Sequence, residues 1–444
     1  GWGFLISQGP SGNMRLYSHV RNISGISQFT GTNNSPVPDQ WHHVVLTYDG
    51  NKEILYLDGI KVGEISQSGN ISEPGELKIG WVYGTEYFNG ILDDIYFMGQ
   101  GLPRLMFTWQ PENQLTILNF FEKNVKKFPN EVAFIFKEES ITWKEADKKV
   151  SQYGAYLQSQ GIEKGDCFAL LMDNCPDFLM LLLAAHRIGA IAALINTTVT
   201  GEGLKHVVTI VDAKAAVLGA SHLDKFESSM PETELKSLKL FLVKDSKDIP
   251  ANYIDINEAS KDAGEVTPYP LKIKDVAMYI YTSGTTGLPK AALITNGRAI
   301  KTSYAGQFFG FRAKQKDILY LTLPLYHATG LLWSWAGCLR AGATTVIKEK
   351  FSASEFWSDV RKHKVTMFGY VGELCRYLMN VAPSDEDQNH QLRVISGNGL
   401  RPDIWEKFQT RFKIPKIREL YGATEGVGAL VNTHGRPGMV GRYM

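Results

Sequence analysis

The sequence predicts a multidomain protein in which an all-β sandwich is followed by a larger α/β domain. Three observations lead there. The length, 444 residues, exceeds what one ordinary hydrophobic core organises. Residues 1–103 consist of short β-branched and aromatic runs punctuated by turn dipeptides. From residue 113 onward, apolar runs of strand length alternate with segments of helical period. The expected limits are 1–103 for the sandwich, 104–112 for a linker, and 113–444 for the α/β domain.

In the first region, Trp41-His42-His43-Val44-Val45-Leu46-Thr47-Tyr48 reads as strand, and Asp49-Gly50 as a hairpin turn in which glycine accepts positive φ. Ile54-Leu55-Tyr56-Leu57 pairs through Asp58-Gly59 with Ile60-Lys61-Val62, and two further strands are expected at 77–81 and 91–97. In the second region, Leu115, Leu118, Phe121, Val125 and Phe128 keep a helical period that Pro129-Asn130 closes. Thr142-x-x-Glu145 is a capping box opening a helix toward Gly161. Cys167–Met172 reads as a buried strand, Pro176 opens a helix that stops near Gly189, and 191–195 is the next strand. Residues 244–252 are polar and read as an exposed loop.

Composition narrows the function. Lys+Arg is 47 and Asp+Glu 46, so no global field recruits nucleic acid, and no nucleic-acid partner is expected. Four cysteines are too few for a disulfide scaffold, the lack of a CxxC pair argues against a structural zinc site, and since all four lie after residue 160 a reducing compartment is the simple reading for that region. The longest apolar run, 178–185, is interrupted by His186-Arg187 and falls short of the ~20 residues a membrane-spanning helix needs. No secretory leader is visible, and the chain begins at Gly1 in strand-like sequence, which reads as an incomplete front.

The first region resembles a laminin-G-like (concanavalin A-like) jelly roll, on 41–59 and on Phe88-Asn89-Gly90-Ile91-Leu92-Asp93-Asp94, and the match is partial. The resemblance implies a structural or adhesive module with a glycan as candidate ligand. Asp93-Asp94 supplies oxygen ligands of the kind calcium takes, though such a pair is more often a solvated turn. Sequons at Asn22, Asn33 and Asn70 hint at an extracellular history.

The segment with the most chemistry is Thr282-Ser283-Gly284-Thr285-Thr286-Gly287-Leu288-Pro289-Lys290, preceded by the apolar Tyr279-Ile280-Tyr281. Glycines let backbone N–H groups approach phosphate oxygens, hydroxyls add donors, and lysine neutralises charge. The spacing is not that of a Walker loop. Against this stands a polar hairpin turn, which needs far fewer such residues. The segment resembles the phosphate loop of the adenylate-forming (AMP-binding) superfamily. Leu323-Pro324-Leu325-Tyr326-His327 resembles that superfamily's aromatic/His motif beside the carboxylate pocket, and Tyr421-Gly422-Ala423-Thr424-Glu425 its adenine and magnesium motif. Segments 369–378 and 397–408 narrow the likeness to the very-long-chain acyl-CoA synthetase/fatty acid transport protein group; Val427, where Asn is usual, is a departure.

The resemblance implies ATP-dependent activation of long- or very-long-chain fatty acids to acyl-CoA through an acyl-adenylate, with ATP, Mg²⁺ and CoA as cofactors. Lys290, Thr424, Glu425 and His327 are expected to carry the chemistry, with Mg²⁺ on Glu425. Nucleotide contacts are expected from Thr282 through Gly287 and Lys290, from Gly397, Asn398 and Gly399, and from Tyr421, Gly422, Ala423 and Thr424. Tyr326, His327, Tyr370, Val371 and Gly372 are expected beside the acyl chain. The group also implies peripheral attachment at the cytosolic face of the endoplasmic reticulum or plasma membrane. The chain stops before the small C-terminal domain that such enzymes carry, and complete turnover by this polypeptide is expected to be weak. The rival readings are an extracellular glycan-binding module with a non-catalytic adenylate-forming remnant, and an artefactual fusion of neighbouring genes.

Overall fold

Alternating β-branched runs in the first 66 residues pair as antiparallel hairpins. The computed structural model describes residues 2–8, 14–21, 27–31, 44–48, 52–57, 60–66, 115–243, 249–282, 287–424 and 429–443. The chain forms two compact units, residues 1–95 with 101–108, and residues 96–100 with 109–444. In the first, β1 (Trp2–Gln8), β2 (Met14–Arg21) and β3 (Ser27–Gly31) form one antiparallel sheet. A second sheet contains β4 (Val44–Tyr48), β5 (Lys52–Leu57) and β6 (Ile60–Ser66). Leu55 and Leu57, two apart and so on one face of β5, are buried with Val62 against them. The strands expected at 77–81 and 91–97, the linker at 104–112, and His42, His43, Asp93 and Asp94 lie outside the described residues.

The second unit is layered α/β. Its strands are β7 (Val132–Phe136), β8 (Glu139–Thr142), β9 (Cys167–Leu171), β10 (Ile191–Leu194), β11 (Ala213–Gly219), β12 (Lys239–Val243), β13 (Ile254–Asp255) and β14 (Val276–Thr282). They continue as β15 (Lys290–Thr295), β16 (Ile318–Leu321), β17 (Thr344–Ile347), β18 (Met367–Val371), β19 (Val394–Asn398), β20 (Ile417–Gly422), β21 (Ala429–Asn432) and β22 (Arg442–Tyr443). A seven-stranded sheet has the order β13-β12-β11-β9-β10-β14-β15, parallel except for the β14–β15 hairpin. A nine-stranded sheet has the order β22-β21-β20-β19-β18-β16-β17-β7-β8, with parallel strands flanked by antiparallel pairs at both ends.

Local signals explain the helices. Thr142 and Glu145 exchange both bonds of the capping box: the Glu145 N–H donates to Thr142 Oγ1 at 3.2 Å and the Thr142 N–H to Glu145 Oε2 at 2.8 Å, opening helix Trp143–Ser159. Helix Pro176–Ile188 is buried on every face except at Asp177, as a helix apolar all round must be, and Gly189 ends it at φ +77°. The first helix spans Ile117–Lys127, inside the stretch of helical period from Leu115 to Phe128. Residues 244–248 of the expected polar loop lie outside the described residues.

Two π-helical turns, Gly306–Phe311 and Thr329–Trp335, have no periodic signature. They exist because glycines admit backbone contact. A Cβ on Gly306 would lie 2.1 Å from the Trp333 carbonyl oxygen, and one on Gly330 2.4 Å from that of Pro324. The second turn directly follows the Leu323–His327 motif, so it fixes where that motif leaves its strand.

Candidate active site

Parallel strands bring their carboxyl ends to one edge of a sheet, where ligands of open α/β folds bind. In the nine-stranded sheet, the segment after β16 carries Tyr326 and His327, β18 ends at Val371 with Gly372 just after it, β19 at Asn398 with Gly399 just after it, and β20 in Tyr421 and Gly422. In the seven-stranded sheet, the hydroxyl- and glycine-rich segment connects β14 to β15, with Thr282 directly opposite Lys290 in the register. The expected phosphate segment therefore connects two antiparallel strands, and its residues 283–286 lie outside the described residues. A cavity of about 390 Å³ is lined by Asn196, Val199, Val207, Tyr281, Thr282, Pro289, His327 and Thr424. Residues from three separate expected motifs thus share one wall.

The other expected residues fall around it. Lys290 is exposed at the start of β15, and Gly287 sits at φ +100° with open space where a side chain would go. Ser283, Gly284, Thr285, Thr286 and Glu425 lie outside the described residues. Thr424 is half-buried, Gly422 and Ala423 are exposed, and Tyr421 is 66% exposed, leaving its ring face available. The His327 imidazole is accessible, yet the surrounding walls displace bulk water and lower its pKa from the ordinary value, favouring the neutral ring. Tyr326 is buried and meets His327 edge-on, with ring centroids 4.7 Å apart.

The β18–β19 side is crowded. A Cβ on Gly397 would lie 1.8 Å from the Tyr370 carbonyl oxygen, and one on Gly372 1.8 Å from that of Gly399. Gly399 takes φ +78°, a turn that glycine adopts without steric cost. Asn398 Oδ1 is buried with no hydrogen-bond partner among the described residues. Tyr370 is fully buried and its hydroxyl donates to Glu419 Oε1 at 3.3 Å.

Several site residues were not singled out from sequence. Asn196 and Val199 follow β10, and Val207 lies on helix Gly201–Thr209; they reach the cavity because β10 adjoins β14, a pairing no local pattern announces. The Tyr281 hydroxyl donates to the Val207 carbonyl, tying that helix to β14. His206 Nε2 donates to the Pro289 carbonyl at 3.1 Å, one residue before Lys290. Among the described residues there is no cluster of three metal-ligating groups, and no helix is long and apolar enough to cross a membrane.

Comparison with known proteins adds the family. Residues 121–444 match the model of the AMP-binding enzymes, and residues 1–103 that of the concanavalin A-like lectin/glucanase superfamily. The chain is 37% identical over 334 residues to the long-chain fatty acid transport protein 6 of Mus musculus, covering 74% of this chain and 53% of that one. It is 33% identical over 332 residues to a medium/long-chain-fatty-acid–CoA ligase of Mycobacterium tuberculosis, covering 75% and 54%. The chain spans about half the length of the curated relatives it matches. Among solved structures, a putative long-chain-fatty-acid CoA ligase from Rhodopseudomonas palustris superimposes with a TM-score of 0.65 at 23% identity, covering 74% of this chain and 81% of that one. The N-terminal domain of FACL13 from Mycobacterium tuberculosis gives 0.63 at 21%, covering 74% and 82%. These likenesses establish the fold of the second unit.

Proposed function

The chain belongs to the AMP-binding enzyme family, and from that premise we propose that it takes part in ATP-dependent activation of long- or very-long-chain fatty acids. The substrates are a fatty carboxylate, ATP as its magnesium complex, and CoA. A carboxylate oxygen attacks the α-phosphorus, the bond to pyrophosphate breaks, and an acyl-adenylate forms. The CoA thiolate then attacks the acyl carbon and expels AMP. The first step brings two anions together, so positioned donors and cations must offset their repulsion.

One observation carries the reading: Thr282 and Pro289, His327 and Thr424, drawn from three motifs far apart in sequence, line one cavity. In this reading the 282–290 segment holds the phosphates, with Lys290 free in solvent to reach them. Thr424 donates to the α-phosphate, and Glu425 meets the magnesium that arrives with ATP. The exposed Tyr421 ring covers the adenine, and the buried acceptor Asn398 Oδ1 awaits a donor of the kind an exocyclic amine supplies. Neutral His327 and Tyr326 stand where the carboxylate enters, with Tyr370, Val371 and Gly372 toward the acyl chain. We assign residues 1–103 to a structural or adhesive module and 113–444 to nucleotide chemistry.

Titration calorimetry of the full chain with Mg·ATP tests the reading. Saturable binding that Thr424→Ala weakens is expected; absence of Mg·ATP binding by the native chain overturns it. Oleate, ATP, Mg²⁺ and CoA supplied together then report how much of the complete reaction this chain performs.

A further inference from the structure

Three side-chain positions stand in register across β18, β19 and β20: Tyr370 opposite Gly397, and Gly397 opposite Glu419. The middle position has no side chain, and a Cβ there would lie 2.9 Å from Tyr370 Cγ, so the tyrosine ring occupies the space above the glycine. Lying across β19, the ring brings its hydroxyl to Glu419 Oε1 on the next strand at 3.3 Å. The same oxygen accepts the Leu400 N–H at 2.5 Å. Leu400 follows Gly399, whose φ of +78° turns the chain off the end of β19. Glu419 also stands two residues before Tyr421 on one strand, hence on the same face.

We propose that Glu419 is a positioning residue that joins the two halves of the site. Its single oxygen ties the 397–400 segment, on the nucleotide side, to Tyr370, on the acyl side, and fixes both relative to Tyr421. The inference rests on the nucleotide reading of this cavity and adds to it a residue that no motif supplied. Burial favours the neutral carboxyl at this position, and the two donors oppose that, as expected for an oxygen whose lone pairs are already engaged. The consequence is specific: an acceptor is required at this position, a charge is not.

The test uses the full chain with Mg·ATP titrations, backbone hydrogen exchange at residues 399–401, and three variants. Glu419→Ala removes the acceptor and is expected to weaken ATP about tenfold and speed exchange at Leu400. Glu419→Gln keeps an amide oxygen in place and is expected to stay within about threefold of the native affinity. Tyr370→Phe keeps the ring, removes one of the two bonds, and is expected to fall between them. Native-like affinity and exchange in both Glu419→Ala and Tyr370→Phe overturns the inference alone. So does a Glu419→Gln variant as weak as Glu419→Ala, since charge and not the acceptor would then matter. Should Glu419→Ala not fold, the Gln and Phe variants decide. A native chain that binds no ATP overturns this inference together with the reading beneath it, so the two failures are distinguishable.

Discussion

The two sheets of the second unit present their site residues in opposite ways. At the ends of β18 and β19 backbone meets backbone, with Gly372 and Gly397 in spaces where any Cβ would collide. At the β14–β15 hairpin, Gly287 has open space around it and Lys290 stands in solvent. One side is a packed platform and the other an open clamp. Glycine serves both, by its small volume in the first and by its backbone freedom in the second. The contrast predicts different costs for one substitution. Gly397→Ala, with its Cβ 1.8 Å from a carbonyl oxygen, is expected to destabilise by about 3 kcal/mol. Gly287→Ala meets only positive-φ strain, about 1 kcal/mol. Urea midpoints of the two variants check this, and equal losses would dissolve the distinction.

Charge separates the sides in another way. Lys290 begins β15 with its side chain exposed, so Lys290→Ala is expected to leave the urea midpoint within experimental error. It should nevertheless weaken Mg·ATP roughly 30-fold, as loss of a charge-assisted contact of about 2 kcal/mol does. Unchanged affinity would remove the lysine from the clamp.

Much of this contrast was legible in the sequence because its causes are local. The capping box at Thr142, the proline that opens and the glycine that closes the helix Pro176–Ile188, and the glycine-hydroxyl segment before Lys290 each act within a few residues. What stayed hidden depends on pairing between distant strands. Nothing near Glu419 announces that it will meet Tyr370 across a glycine, and nothing near Asn196 places it beside Tyr281. The π-helical turns were hidden for a related reason. Gly306 stands where the Trp333 backbone meets it in the folded chain, and Gly330 against the Pro324 carbonyl six residues earlier, spaces that admit no Cβ.

The clamp side has a buried support that should report on pH. His186 is fully buried in helix Pro176–Ile188, and burial pulls its pKa down to about 4, with the Ala277 backbone of β14 acting in the opposite direction. An unfolded chain takes up this proton near the ordinary pKa of about 6.5. Between those values the unfolded state binds more protons, so stability falls as pH falls. From pH 7 to pH 5.5 the loss assigned to His186 is about 1 kcal/mol. Other histidines with lowered pKa values add to the native slope, so the informative quantity is the difference between native and His186→Leu urea series at the two pH values. A parallel pair of series would show that His186 titrates alike in both states.

The smallest expected effect tests how the base of the clamp is held. His206 sits half-buried on helix Gly201–Thr209, and its Nε2 reaches the carbonyl of Pro289, the residue before Lys290. That bond anchors one end of the loop to the layer that also bears Val207 and, through it, the Tyr281 hydroxyl. A single neutral hydrogen bond at the base of this hairpin should matter little to folding and slightly to binding. His206→Ala is therefore expected to weaken Mg·ATP about threefold. Tyr281→Phe removes the parallel tie on the same helix and is expected to act in the same direction. Because both bonds hold one helix against one hairpin, the double variant should lose less than the product of the two single losses, as coupled neighbours do. Losses that multiply in full would mean that the two ties act on separate parts of the hairpin, and the base of the clamp would then be held at two independent points instead of one.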